Sequence, residues 1–292
     1  MRNSRLLGLV SIFCFAALQV VAQQTNSTSE PAPMSDPQAV GLIQKSLSAL
    51  SGGIAIGDVT LTGMAHRIAG SDDETGTAVV TAILGGYSKI SLTLPSGPRL
   101  EVRNPSAVPL PGAVPSAISP NVSQLPQPAG AWSGPDGNLQ PIVGHNLLTD
   151  ADWFFPAMTF ANVLQQSTFV LSYAGQDSIN GQAVLHVTGV QQFPPIPGGP
   201  PEIASLMRHL TQMDFYLDPT TLFPVAFTFN IHPDSNALVD IPVRIQFSGF
   251  QLADGVQMPY HIQKYLNNNL VLDFQFTNAI LNSGLTASAF SL

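Results

Sequence analysis

The chain has 292 residues, of which 45% are hydrophobic and 10% charged, with a formal net charge of −8. So few charges exclude a coiled coil and a charge-driven disordered chain. The acidic balance argues against nucleic acid as a partner, because such sites need clustered Lys and Arg. With 24 Gly, 25 Pro and one Cys, the composition describes a turn-rich chain whose core holds without disulfides.

Residues 1–22 read as a secretory signal peptide. Arg2 and Arg5 precede an apolar run over 6–18, shorter than the about 20 residues of a membrane span. Val20 and Ala22 then offer small side chains for cleavage before Gln23. Cys14 follows Phe13, not the small residue that a lipidation site wants. The expectation is a soluble exported protein, periplasmic or secreted, with no transmembrane segment after cleavage. Residues 23–34 are polar and carry prolines, and read as a disordered lead-in. Residues 35–292 read as one domain.

Ser35 or Asp36 is positioned to cap a helix that has Pro37 in its first turn. Val40, Ile43, Leu47 and Leu50 share its apolar face, and Gly52-Gly53 ends it. The period then changes to two, with Val59, Leu61, Gly63 and Ala65 alternating with polar neighbours. A turn over 70–76 leads into 77–84, Gly85-Gly86 into 87–94, and 95–98 into 99–103, which predicts a four-stranded meander. Residues 104–130 hold seven prolines. That density predicts a Pro-rich loop, 105–128, free of strand and helix and cut first by proteases. Residues 131–137 read as a short strand and turn. Residues 145–166 read as mainly helical, with Thr149 to Asp152 as a capping box and Pro156 at a kink or first turn. Strands over 169–174 and 182–188 flank Asn180-Gly181, the strongest hairpin signal in the chain. A second Pro/Gly loop over 193–201 precedes a short helix at 202–209. Five strands follow, over 212–217, 223–231, 241–250, 258–266 and 270–279.

Several segments of the second half resemble one family. These are Tyr173-Ala174-Gly175 through Asn180-Gly181, Leu217-Asp218-Pro219 through Pro224-Val225, Asp254-Gly255 through Pro259, and Leu281-Asn282-Ser283-Gly284-Leu285 with Phe290. Together they resemble the LolA/LolB-like superfamily of periplasmic lipoprotein carriers and related lipid-binding envelope proteins. The resemblance is clearest over 170–292. It implies an α+β fold, a curved antiparallel sheet (an incomplete β-barrel) wrapped around helices, with an apolar cavity between them. It leaves Arg67 and Lys89, both on early strands, open as counterparts of the carriers' lid-locking arginine.

No motif of nucleophilic, metal-dependent or nucleotide chemistry is present in the sequence. The six His are scattered, with none paired at ligand spacing. His232-Pro233-Asp234 reads as a turn, and Asp72-Asp73-Glu74 as a solvated hairpin tip. No catalytic residue, metal ligand or cofactor is assigned. Trp153, Phe155, Phe227, Phe229, Ile245, Phe247, Phe274 and Phe276 form the predicted apolar lining, because residues two apart in a strand share a face. The expected function is non-enzymatic: binding or carrying a lipid or acyl chain in the cell envelope. The alternative is an envelope structural or interaction protein with the same fold, a filled core and a protein partner. A hydrolase with dispersed catalytic groups ranks behind both.

Overall fold

Asp36 and Gly52 bound the first helix, α1 (Pro37–Ser51). The Asp36 carboxylate accepts the Gln38 N–H at 2.8 Å, and Gly52 closes the helix at φ 58°. These are details of a computed structural model in which residues 34–107, 127–149, 151–192 and 202–292 are described. The predicted signal peptide, nearly all of the predicted lead-in, most of the Pro-rich loop and the loop over 193–201 lie outside the described residues.

The strands are β1 (Asp58–Ala69), β2 (Asp72–Ile83), β3 (Tyr87–Leu94), β4 (Gly97–Ala107), β5 (Gln127–Ser133) and β6 (Leu139–Pro141). After α2 (Pro156–Gln165) come β7 (Phe169–Ile179) and β8 (Gln182–Gln191). After α3 (Glu202–Thr211) come β9 (Met213–Leu217), β10 (Pro224–Ile231), β11 (Ile241–Ala253), β12 (Val256–Leu266) and β13 (Asn269–Leu281). All thirteen join one antiparallel sheet in the order β6-β5-β4-β3-β2-β1-β13-β12-β11-β10-β9-β8-β7. The sheet curves over helices without closing, as the turn spacing and the resemblance predict. The first and last strands meet in its middle, and β6 and β7 are its edges. Ser35 and Asp36 occupy the β7 edge: Asp36 N–H donates to the Leu171 carbonyl, Leu171 N–H to Ser35 Oγ, and Tyr173 N–H to the Asp36 carboxylate. Covering the edge in this way blocks pairing with another chain.

Some local expectations change. The turn after β1 is two residues long, not seven, because Gly70 at φ 62° reverses the chain and Ala69 pairs directly with Asp72. Asp72, Asp73 and Glu74 therefore lie in β2, paired with Arg67, His66 and Arg99, and are not a loose tip. β4 and β5 reach into the predicted loop, to Ala107 and from Gln127; a register shift between Asn104 and Ala107 carries Pro105 past the ladder. Helix over 145–166 reduces to a 3₁₀ turn (Gly144–Leu147) and α2. Pro156 is the first residue of α2, and Phe155 before it sits at φ −127°, since proline bars helical geometry in its predecessor.

Helix α2 buries seven of its ten residues. Its Phe160 meets the rings of Phe215 and Phe227 edge-on at 5.5 and 5.3 Å, and Phe227 meets Phe247 at 4.8 Å. This aromatic wedge is the centre of the core. Asn162 ties α2 in place, donating to the buried Asp152 at 2.7 Å and accepting the Gly85 N–H at 2.9 Å.

Candidate ligand groove

The inner face of the sheet changes character toward one end. Ile90 and Leu92 of β3 pack in the core, and their partners across the ladder are Glu101 and Arg99 of β4. Period-two alternation places Arg99, Glu101 and Arg103 on that same inner face. On β1, Arg67 follows the core residue Ala65 by two; on β12, Lys264 follows the buried Ile262 by two. A groove of about 770 Å³ opens there, with Ile90, Leu92, Trp132, Trp153, Leu266 and Leu272 on its apolar walls. Arg67, Arg99, Glu101 and Lys264 also line it.

The charges are incompletely matched. Arg67 stands 3.7 Å from Asp72, and Arg99 stands 3.7 Å from Glu74 and 4.0 Å from Asp72. Yet Arg67 Nη1 and Arg99 Nε are buried and have no hydrogen-bond partner among the described residues. Glu101 accepts from Arg103 Nε at 3.1 Å. Burial opposes the charge on Glu101, but Arg103 and Lys264 outweigh it and hold the carboxyl below its ordinary pKa. Burial lowers the pKa of Lys264; Glu101 opposes that shift and Arg103 adds to it. The ammonium lies 4.9 Å from the centre of the Trp153 ring, a cation–π contact.

Of the eight residues predicted to line a cavity, Trp153 is on the wall of this groove. Phe155, Phe227, Phe229, Ile245, Phe247, Phe274 and Phe276 are all buried in the main core cluster. Arg67 reaches the groove, whereas Lys89, offset by one from Ile90, is on the other face. The charged inner face of β4 escaped the sequence reading, although its signal was present. Arg99, Glu101 and Arg103 alternate with Leu100 and Val102, and only the neighbouring strand says which set points inward. On the outer, polar face, Ser248 Oγ is 3.0 Å from His261 Nδ1, and His261 Nε2 is 3.0 Å from Asp273. These three are neighbours across β11, β12 and β13, outside the groove, and form a cross-strand polar ladder. No helix among the described residues is long and apolar enough to cross a membrane.

No family model and no curated protein matches the chain. Among solved structures it is similar to a DUF1329 family protein from Desulfovibrio piger, at 10% identity and a TM-score of 0.50, over 89% of this chain and 98% of that one. It is also similar to a LolA superfamily protein from Nitrosomonas europaea, at 10% identity and a TM-score of 0.48, over 87% of this chain and 97% of that one. At 10% identity, the match to the Desulfovibrio piger protein shows a shared fold alone.

Proposed function

We propose that the protein binds or carries an amphiphile in the cell envelope, seating an acyl chain in the groove and an anionic head against Arg67, Arg99 and Lys264. The groove carries this reading. Its walls are apolar, its volume suits a ligand pocket of about 300–1,000 Å³, and it gathers three basic side chains in a chain of net charge −8. Two arginine nitrogens without hydrogen-bond partners are donors that a carboxylate or phosphate head would satisfy. The role is non-enzymatic, and the compartment is the periplasm or the exterior.

Titration with a fluorescent fatty acid tests it. Saturable binding is expected, with displacement by the free acid about ten-fold stronger than by the alcohol of equal chain length, since one charge-assisted pair is worth about 1.5 kcal/mol or more. Absence of saturable binding by the wild-type protein overturns it. One observation favours a second reading. Trp132 is half exposed at the groove, as an anchor for a protein partner in the envelope would be.

A further inference from the structure

Away from the groove walls, the fold gathers three residues that are distant in sequence. His209 is in the last turn of α3, His232 directly follows β10, and Asp240 directly precedes β11. One ligand atom from each lies within 4.8 Å of the other two. Asp240 Oδ1 stands 3.1 Å from His209 Nε2 and 3.5 Å from His232 Nδ1. Two ligands of a tetrahedral zinc, each at about 2.0–2.1 Å from the ion, stand roughly 3.3 Å apart. We propose that His209, His232 and Asp240 form a binding site for a divalent transition metal of the zinc class.

The anchor of the site is rigid. The His232 side chain is 1% exposed, and its backbone is held by Asn146, which accepts the His232 N–H at 2.9 Å and donates to its carbonyl at 2.8 Å. Yet the ring is not a satisfied core histidine. Its Nε2 is buried without a hydrogen-bond partner among the described residues, and the same is true of His209 Nε2 despite the nearby carboxylate. Two imidazoles and a carboxylate are a donor set that suits zinc and its neighbours better than hard cations. The 3.1 Å contact of His232 Nδ1 with the Val239 carbonyl, which can only accept, places the ring proton on Nδ1 and the lone pair on Nε2, the atom without a partner among the described residues. His145 packs edge-on against His232, with ring centres 5.9 Å apart, but its Nε2 is 3.2 Å from the Pro233 carbonyl, outside the ligand group. His209 and Asp240 are partly exposed, with side chains at 34% and 43%. The ion would therefore have three protein ligands and a side open to water, the pattern of a site with an exchangeable position. It would tie α3 to the loop between β10 and β11.

The test is titration of the purified, chelator-treated protein with Zn²⁺ by calorimetry and with Co²⁺ by visible absorption. One ion per chain is expected, with the intense ligand-field bands of four-coordinate Co²⁺. His209→Ala and Asp240→Ala, both at partly exposed positions, should each weaken binding by more than about 100-fold, beyond what loss of an outer partner causes. His66→Ala removes a His–Asp pair that has no third ligand among the described residues and should leave binding unchanged. His232 is too buried for its substitution to be decisive, so the test does not depend on it. Failure of the folded wild type to bind saturably, or unchanged binding in either variant with native circular dichroism, overturns the site and leaves a polar cluster that only pins the loop.

Discussion

A single carboxylate joins the two ends of the domain. Asp58, 5% exposed at the start of β1, accepts four hydrogen bonds from the segment after β13: from Ser283 N–H and Oγ at 2.8 Å each, Gly284 N–H at 2.9 Å and Leu285 N–H at 3.3 Å. Burial works against its charge, but these donors prevail and hold its pKa below the ordinary carboxylate value. Its contribution is therefore complete above the unfolded-state pKa of about 3.9 and is lost as pH falls through the folded value. Asp58→Ala should cost about 2–3 kcal/mol at neutral pH, the worth of bonds to a charged acceptor. Urea denaturation across a pH series should show that cost shrinking in acid; a loss independent of pH would contradict the latch. Glu101 offers a functional counterpart. Glu101→Gln removes the carboxylate that, among the described residues, faces Lys264 and Arg103, and should destabilise the fold by about 1–3 kcal/mol. The same change should tighten binding of an anionic amphiphile, measurable by probe titration.

Hairpins were the most legible elements, and their turn residues explain why. Asn180-Gly181 and Asp254-Gly255 all have positive φ, which matches the twist of the flanking strands in a two-residue loop. The family-like Asn282-Ser283-Gly284-Leu285 was legible as a turn; its partner Asp58, more than two hundred residues earlier, was not, because nothing local marks it. Strand ends were read short for a related reason. Once a two-residue turn closes, pairing runs on through residues of poor β propensity such as Asp72 and Asp73. The histidine cluster was invisible because α3 and the β10–β11 loop meet only in the folded sheet. Where β1 meets β13, the register shifts between Thr62 and Gly63. A Cβ on Gly63 would overlap the backbone of Gln275 and Phe276, which cannot swing aside as a side chain could. Gly63→Ala should lower stability by about 1–3 kcal/mol through forced backbone shifts, and thermal unfolding would register it. An unchanged melting temperature would mean that the bulge has more room than its geometry shows.

Across the whole molecule, the inner face of one sheet has two zones. The middle is a solid aromatic core, in which Phe160, Phe215, Phe227 and Phe247 touch one another and α2 is nearly enclosed. The end bounded by β1, β3, β4 and β12 is the groove, where apolar side chains give way to Arg67, Arg99, Glu101 and Lys264. Pairing of the first strand with the last is what brings β1 and β12 to either side of β13, so the groove exists only in the completed sheet. The division separates stability from binding in a way that mutation can read. Phe227 is fully buried, and Phe227→Ala should cost about 3–5 kcal/mol, as large-to-small core changes do, while leaving affinity for a fatty-acid probe within about two-fold at temperatures where the variant is folded. Trp132 is half exposed, so Trp132→Ala should change stability by less than about 1 kcal/mol and weaken the probe several-fold, because the indole wall of the groove is gone. Paired denaturation and titration on the two variants check both halves. If Phe227→Ala abolished binding while Trp132→Ala left it intact, the ligand would occupy the space under α2, and the groove would be the wrong end of the sheet.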